Sequence, residues 1–425
     1  MAEPSNSCEP EPAGGSTPAA QDKPLTVEQA LERLLGYARP VDETEALPTA
    51  DCLGRVLAEP VVSGVDLPYW DNSAMDGYAL RADDLAAHGG RLPVSQRIPA
   101  GQCGTPLAPG TAARIFTGAP VPEGADTVVV QEVCEPEDDA VRVSAEITPG
   151  ANIRRRGEEL TAGTEVLAAG TRLGPQHLGM AAGVGAAELR VHRRLKVAIL
   201  ATGDELVMPG TALGPGQIYN SNRFLFRALL QALGCEVIDL GIVADDREAT
   251  VAALRDAAGQ SDLVLASGGV SVGEEDHIRP AVERLGSLDL WRVAMRPGKP
   301  FAFGRIGETP FIGSPGNPVS LFVTFGLFAR PFIQRLQGMR DAGLPQALPA
   351  RAGFSLSKPV KRRDYQRARL SIDADGQTLV EVFRSTSSAA LSSLTWANGL
   401  AIIPEGEPIR EGDRVDFIPL SELLG

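Results

Sequence analysis

Residues 191–343 alternate in character with a regularity that few architectures accommodate. "RLKVAILATGDEL" reads as an apolar strand, "SNRFLFRALLQALG" as a helix and "CEVIDLGIVADD" as a strand. "REATVAALRDAAG" continues as a helix, "SDLVLASGG" as a strand and "DHIRPAVERLG" as a helix. Two more strands, "PFAFGRI" and "TPFIG", lead into a long helix through "NPVSLFVTFGLFARPFIQRLQG". Apolar strands separated by helices predict a parallel, doubly wound α/β domain, because each helical crossover returns over a sheet covered on both faces.

The flanks follow other rules. Residues 1–23 are rich in Pro, Ser, Glu and Gly, lack the basic and apolar regions of a signal peptide, and read as a disordered tail. "LTVEQALERLLGYA" opens the folded part as a helix, with Thr26 and Gln29 in capping-box spacing. Segments 24–60 and 150–190 read as a linking domain. Between them, 61–149 carries short β-rich runs such as "RLPVSQRI" and "DTVVVQEV" between Gly/Pro turns, which predicts a β-rich domain. Residues 344–425 return to short strands and predict a small C-terminal β-barrel. The fold class expected is α/β plus β, in a multidomain chain.

Charge and cysteine usage exclude several functions. A net charge of −14 argues against a nucleic-acid partner held by bulk electrostatics. No apolar run approaches the roughly 18 residues of a membrane helix. The five cysteines are scattered without a C-x-x-C pair and read as reduced thiols of a cytoplasmic protein. The four histidines share no metal spacing, and no Walker A loop, nucleophile elbow or dinucleotide fingerprint is present.

In an open parallel sheet, ligands bind beyond the carboxyl ends of the strands. Applied strand by strand, that rule delivers Glu205 from "ATGDEL" and Asp245 and Asp246 from "ADD". It delivers Gly268, Gly269, Ser271 and Asp276 from "SGGVSVGEED", and Ser314, Gly316 and Asn317 from "IGSPGNPVS". Glycine turns let backbone N–H groups approach an anion, and carboxylates suit a hard cation such as Mg²⁺ that also binds phosphate. Any one of these acids also suits a helix N-cap. "WRVAMRPGKPFAFG" gathers Arg292, Arg296 and Lys299, a basic group suited to an oxyanion or a pterin-like anion. In the β-rich part, "DLPYWDNSAMDGYAL" crowds aromatics with Asp76, and "NIRRRGEEL" sets Arg154, Arg155 and Arg156 before two acids. Such an arginine run equally suits an ion-paired surface.

Taken in order, "NSAMDGYA", "RIFTGAPVPEGAD", "NIRRRGEE", "ATGDEL", "SGGVSVGEED", "RPGKPFAFG" and "SPGNPVS" closely resemble the molybdopterin molybdenumtransferase family, which is related to the gephyrin E domain. The resemblance spans about residues 25–420. It implies a cytoplasmic homodimer whose α/β part binds adenylylated molybdopterin, with the cleft completed by β-rich parts of the partner subunit. It further implies molybdate insertion into the dithiolene with Mg²⁺-assisted release of AMP, and contact with other molybdenum-cofactor biosynthesis proteins. Carried over by motif, Asp76, Thr117, Glu205, Asp245 and Asp276 are the expected catalytic residues, with Glu205, Asp245 and Asp276 on the metal. Arg154, Gly268, Gly269, Ser271, Arg292, Arg296, Lys299, Ser314 and Asn317 are the expected substrate contacts. Arg292 and Arg296 stand where the family often has Lys, Glu159 stands for a frequent Asp, and "ADDR" departs from the usual "DDP". The serine-rich "STSSAALSS" offers no single alignable serine. Two other functions compete: adenylylation of molybdopterin by ATP, which needs only a single α/β domain, and a non-catalytic gephyrin-like scaffold, which leaves the cleft charges unexplained.

Overall fold

The computed structural model describes residues 24–269, 277–298, 300–373 and 375–424. They form two compact units, one of residues 42–193 with 338–340, the other of the segments up to 41, 194–337 and from 341 onward.

The second of these begins with α1 (Val27–Leu35). Thr26 Oγ1 accepts the Gln29 N–H while Gln29 Oε1 accepts the Thr26 N–H, closing the capping box. The buried face of α1, Val27, Ala30, Leu31 and Leu34, belongs to the same apolar core as Val197, Ile199 and Phe332. The helix assigned by sequence to the linking segment therefore packs on the α/β core; its amphipathic pattern gave the helix but not its partner.

The sheet is built from β1 (Lys196–Thr202), β2 (Glu236–Val243), β3 (Leu263–Ser267), β4 (Gly286–Arg292), β5 (Pro300–Ile306) and β6 (Thr309–Ser314), in the order β2-β1-β3-β6-β5-β4. Helices α2 (Ser221–Ala232), α3 (Arg247–Gln260) and α4 (Ile278–Leu285) connect the first four strands. β2, β1, β3 and β6 run parallel, as the alternation predicts. The edge departs from it: β5 is antiparallel to both β4 and β6. Ile306 pairs with Thr309, leaving only Gly307 and Glu308 to turn the chain, and Gly307 takes a φ of 58°. Two residues can close a hairpin but cannot make a parallel crossover. Leu263, Val264, Leu265 and Ala266 are fully buried, as a strand covered on both faces requires.

The long C-terminal helix is interrupted. α5 (Pro318–Thr324) passes through a π-helical turn, Phe325–Ala329, into α6 (Arg330–Leu336). Pro331 has no N–H for the regular ladder, and the buried Arg330 Nε donates to the Gly326 carbonyl at 3.2 Å. The remaining strands, β7 (Leu348–Ala352), β8 (Arg363–Ile372), β9 (Thr378–Val382), β10 (Gly399–Ile403) and β11 (Arg414–Pro419), pair in the order β8-β9-β7-β11-β10. β10 pairs back with β8, which closes the expected barrel with five strands.

The other unit is all but devoid of long helices. A six-stranded sheet over 77–143 surrounds Tyr78, Leu80, Leu92 and Val141 on one face and Ile98, Ile115 and Val128 on the other. A separate core of Leu57, Leu173, Leu189 and Val191 joins the segments on either side of it, and Thr44–Pro48 pairs antiparallel with Glu188–His192.

Candidate active site

The carboxyl ends of β1, β3 and β6 open into a cavity of about 330 Å³, walled by Thr202, Glu205, Tyr219, Asn222, Gly268 and Asn317 among others. Its floor is backbone. Gly268 and Gly269 take φ values of 82° and 64°, the left-handed region that favours glycine. The Gly268 N–H donates to the Ser314 carbonyl at 3.1 Å, and a Cβ on Gly316 would lie 3.8 Å from the Gly268 Cα. The two glycine turns predicted from separate strands thus meet. Asn222 Nδ2 donates to the Gly316 carbonyl at 2.7 Å and ties the α2 loop to them.

The carboxylates divide. Glu205 is exposed on the cavity wall. Asp245 is half-buried beyond β2 and is not part of that wall. Asp246 is an ordinary N-cap, its Oδ1 accepting the Ala249 N–H at 2.9 Å. Ser271, Asp276 and Lys299 lie outside the described residues, and among the described residues no three His, Cys, Asp or Glu side chains form a metal-binding cluster. Mg²⁺ does not require one, since it commonly takes one or two carboxylates together with substrate phosphates and water. Glu205 meets that need on the chemistry of its oxygens.

A second cavity, also about 330 Å³, lies where the loop after β4 meets the barrel. Arg296, Gly298, Arg362, Thr386, Ser387 and Ser388 line it. Arg296 Nη2 donates to Thr386 Oγ1 at 2.8 Å, and its Nη1 stands 3.7 Å from the buried Asp364 carboxylate. Burial pushes the Asp364 carboxyl above the usual range against the pull of its Gln366 hydrogen bond and three arginines. Beneath the loop, Arg367 is 2% exposed. Its Nε donates to Ser393 Oγ at 2.9 Å and its Nη2 to the Ser385 and Ser387 carbonyls at 2.7 and 3.1 Å. Burial lowers the Arg367 pKa, with Asp364 opposing.

The first turn of α5 separates the two cavities: Pro318 faces the glycine turns and Ser320 faces the arginines. The Val319 N–H donates to the Ser388 carbonyl at 3.1 Å, so the serine loop is pinned to that turn. Cations and hydroxyls in this arrangement suit a tetrahedral oxyanion. The sequence grouped Arg292 with Arg296, and the structure parts them. Arg292 ends the edge strand β4 and lines a different groove with Thr26, Arg33 and Trp291. Arg362, Arg367 and Thr386 were not singled out by sequence; Arg296 and the serine-rich run were the pointers to this place.

In the other unit, Asp76 and Thr117 come together. Asp76 Oδ1 accepts the Thr117 N–H at 2.8 Å and the Thr117 hydroxyl at 2.9 Å. These two bonds hold the Asp76 carboxyl below its ordinary range. Gly77 explains the tightness of the motif, since a Cβ there would lie 1.9 Å from the Val129 carbonyl oxygen. The arginine run splits by role. Arg155 Nη1 donates to Asp71 Oδ2 and Arg156 Nε to Asp66 Oδ2, both at 2.6 Å, and the Arg156 N–H donates to Asp71 Oδ1 at 2.8 Å. Arg154 instead lines a cavity of about 500 Å³ with Tyr69, Trp70, Asn72, Glu158 and Glu159.

Comparison with known proteins places most of the chain in one family. Residues 25–185 match the MoeA N-terminal region (domains I and II), 198–335 a probable molybdopterin binding domain, and 349–420 the MoeA C-terminal region (domain IV). The molybdopterin molybdenumtransferase of Haemophilus influenzae is 40% identical over 404 residues, covering 94% of this chain and all of that one. That of a Nostoc species is 39% identical over 377 residues, 86% of each chain. A solved MoeA protein of Pyrococcus horikoshii superposes with a TM-score of 0.75 at 31% identity, over 93% of this chain and 99% of that one. Two glycine turns, an arginine–serine cavity and an Asp76–Thr117 pair are therefore features of a chain that belongs to the MoeA family.

Proposed function

We propose that this chain is a molybdopterin molybdenumtransferase, which inserts molybdate into adenylylated molybdopterin and releases AMP in the synthesis of the molybdenum cofactor. The observation that carries the reading is the pair of anion-suited cavities on either side of the first turn of α5. The glycine turns at Gly268, Gly269 and Gly316 suit the phosphate of the adenylate, and Arg296, Arg362 and Thr386 suit molybdate, a tetrahedral dianion. The names carried by relatives at about 40% identity over nearly full length support the same reaction.

The chain's own groups have separable tasks. Arg296 and the serine loop gather the oxyanion against an anionic dithiolene, whose approach is otherwise repelled. Arg367 positions that loop from below. Gly268 and Gly269 present backbone to the phosphate without a side chain intervening. Mg²⁺, held by Glu205 with Asp245 and Asp276 as the further expected ligands, would offset phosphate charge and polarise the P–O bond. Asp76, Thr117 and Arg154 are proposed to meet the substrate in a homodimer, with the protein cytoplasmic and supplied by other cofactor-synthesis proteins. No helix among the described residues is long and apolar enough to cross a membrane.

The test is incubation of the purified chain with adenylylated molybdopterin, molybdate and Mg²⁺, following AMP and metallated cofactor. Glu205→Gln is expected to fold normally and lose most AMP release. Consumption of ATP with unmodified molybdopterin would instead establish adenylylation, and absence of any turnover would favour a scaffold.

A further inference from the structure

The cavity of about 500 Å³ on the β-rich unit is unlike the two anion cavities. It has aromatic walls. Tyr69 and Trp70 are 44% and 48% exposed although both are large and apolar, and their rings sit 5.6 Å apart. The platform is fixed, because the Tyr69 hydroxyl donates to the Gly183 carbonyl at 2.7 Å. An exposed pair of rings held in place is suited to stacking on a flat ligand.

The polar groups on the same walls have a definite pattern. Arg155 and Arg156 are held by Asp71 and Asp66, and Glu158 accepts the Arg155 N–H at 2.7 Å. Those contacts shape the loop; Arg154, Glu158 and Glu159 all line the cavity, and Glu158 is already engaged by the Arg155 N–H. A guanidinium donates two parallel bonds to adjacent acceptors such as the O6 and N7 of guanine; the O4 of a pterin accepts such a donor, joined by N5 in an oxidised ring and alone in a reduced one. A carboxylate accepts two parallel bonds from adjacent donors, and the 2-amino group and N3–H of a pterin present those. Adenine has no such donor pair and would set a lone pair against Glu159.

We infer that this cavity binds the pterin ring of the substrate, stacked on Trp70 and read at its two edges by Glu159 and Arg154. The inference rests on the functional reading above for its choice of a pterin over a guanine.

The test is equilibrium dialysis of the full-length chain against free pterin and against lumazine, without molybdate, Mg²⁺ or nucleotide. Lumazine carries a carbonyl where pterin has its 2-amino group, so it turns one donor facing Glu159 into an acceptor. Saturable pterin binding, about tenfold weaker for lumazine, is expected. Glu159→Gln should remove most of that preference, and Trp70→Ala should weaken both ligands. Unchanged circular dichroism would show that each variant folds, and Trp70→Phe, which keeps a stacking ring, should retain binding. Equal affinity for the two ligands, no saturable pterin binding, or a pterin preference untouched in Glu159→Gln would overturn the assignment. Pterin binding with that preference but no AMP release would leave this site standing and remove the transferase reading. Molybdate-dependent AMP release without the pterin preference would do the reverse.

Discussion

The arginine loop of the β-rich unit and the arginine cavity beside the barrel use similar charges in opposite surroundings. On the first, Arg155 and Arg156 are 53% and 67% exposed and pair with Asp71 and Asp66 in water. On the second, Arg367 and Asp364 are both 2% exposed, so every bond they make replaces hydration already lost. Exposed pairs shape a loop at little energetic consequence, whereas buried ones leave an uncompensated charge when one partner goes. The comparison teaches that the barrel-side cavity is the rigid element and the arginine loop the adjustable one.

The largest effect should come from Arg367→Met, which removes a buried cation from Ser393, Ser385 and Ser387. A loss of about 3 kcal/mol or more in unfolding free energy is expected, measured by urea denaturation. If the loss were only a few tenths, the cavity would not be organised from below. Asp364→Asn should cost less, about 1 kcal/mol, because burial already disfavours the charge it removes. Smaller still, Asp71→Asn should cost about 0.5 kcal/mol in stability. Its larger consequence should be weakened pterin binding, as the loop bearing Arg154 and Glu159 loosens.

Acid separates the two regions by sign. The carboxyls of Asp71, Asp66 and Asp76 are held below their ordinary range by hydrogen bonds and arginines. Their contribution is present above the unfolded value, about pH 4, and is lost as pH falls through the lowered folded values. The Asp364 carboxyl is raised by burial, so its folded form binds the proton more tightly than the unfolded chain. Its effect on stability is favourable below the unfolded value and fades as pH rises through the raised folded value. Hydrogen exchange followed from about pH 3 to 6 should therefore show loosening around residues 155–162 toward acid and no parallel loss around Asp364. Parallel loss in both places would contradict the difference in burial.

Much of this was legible beforehand, and the failures are instructive. Four parallel strands, the capping box at Thr26 and the closed barrel followed from periodicity and turn residues. The antiparallel edge did not, because a strand pattern carries no direction; only the two-residue turn at Gly307 and Glu308 encodes it. α1 has a clear apolar face, but nothing local says which core covers it. Within the sites, the glycine turns and the Asp76–Thr117 pair sit in compact motifs and were readable. Arg367 was not. It lies in "RRDYQRARL", where residues 364–368 are all buried in the barrel wall, so period-two alternation cannot mark an inward side chain. Arg292 and Arg296 are four residues apart in a basic run, yet the bend between β4 and the next short strand sends them to different cavities.

The most direct measurement is the molybdate dependence of AMP release by the purified chain and by Arg296→Met, with adenylylated molybdopterin and Mg²⁺ saturating. If Arg296 gathers the oxyanion, release requires molybdate, and the variant needs about tenfold more of it to reach half its maximal rate. AMP release indifferent to molybdate, or an Arg296→Met curve that overlays the parent, would contradict the assignment of that cavity.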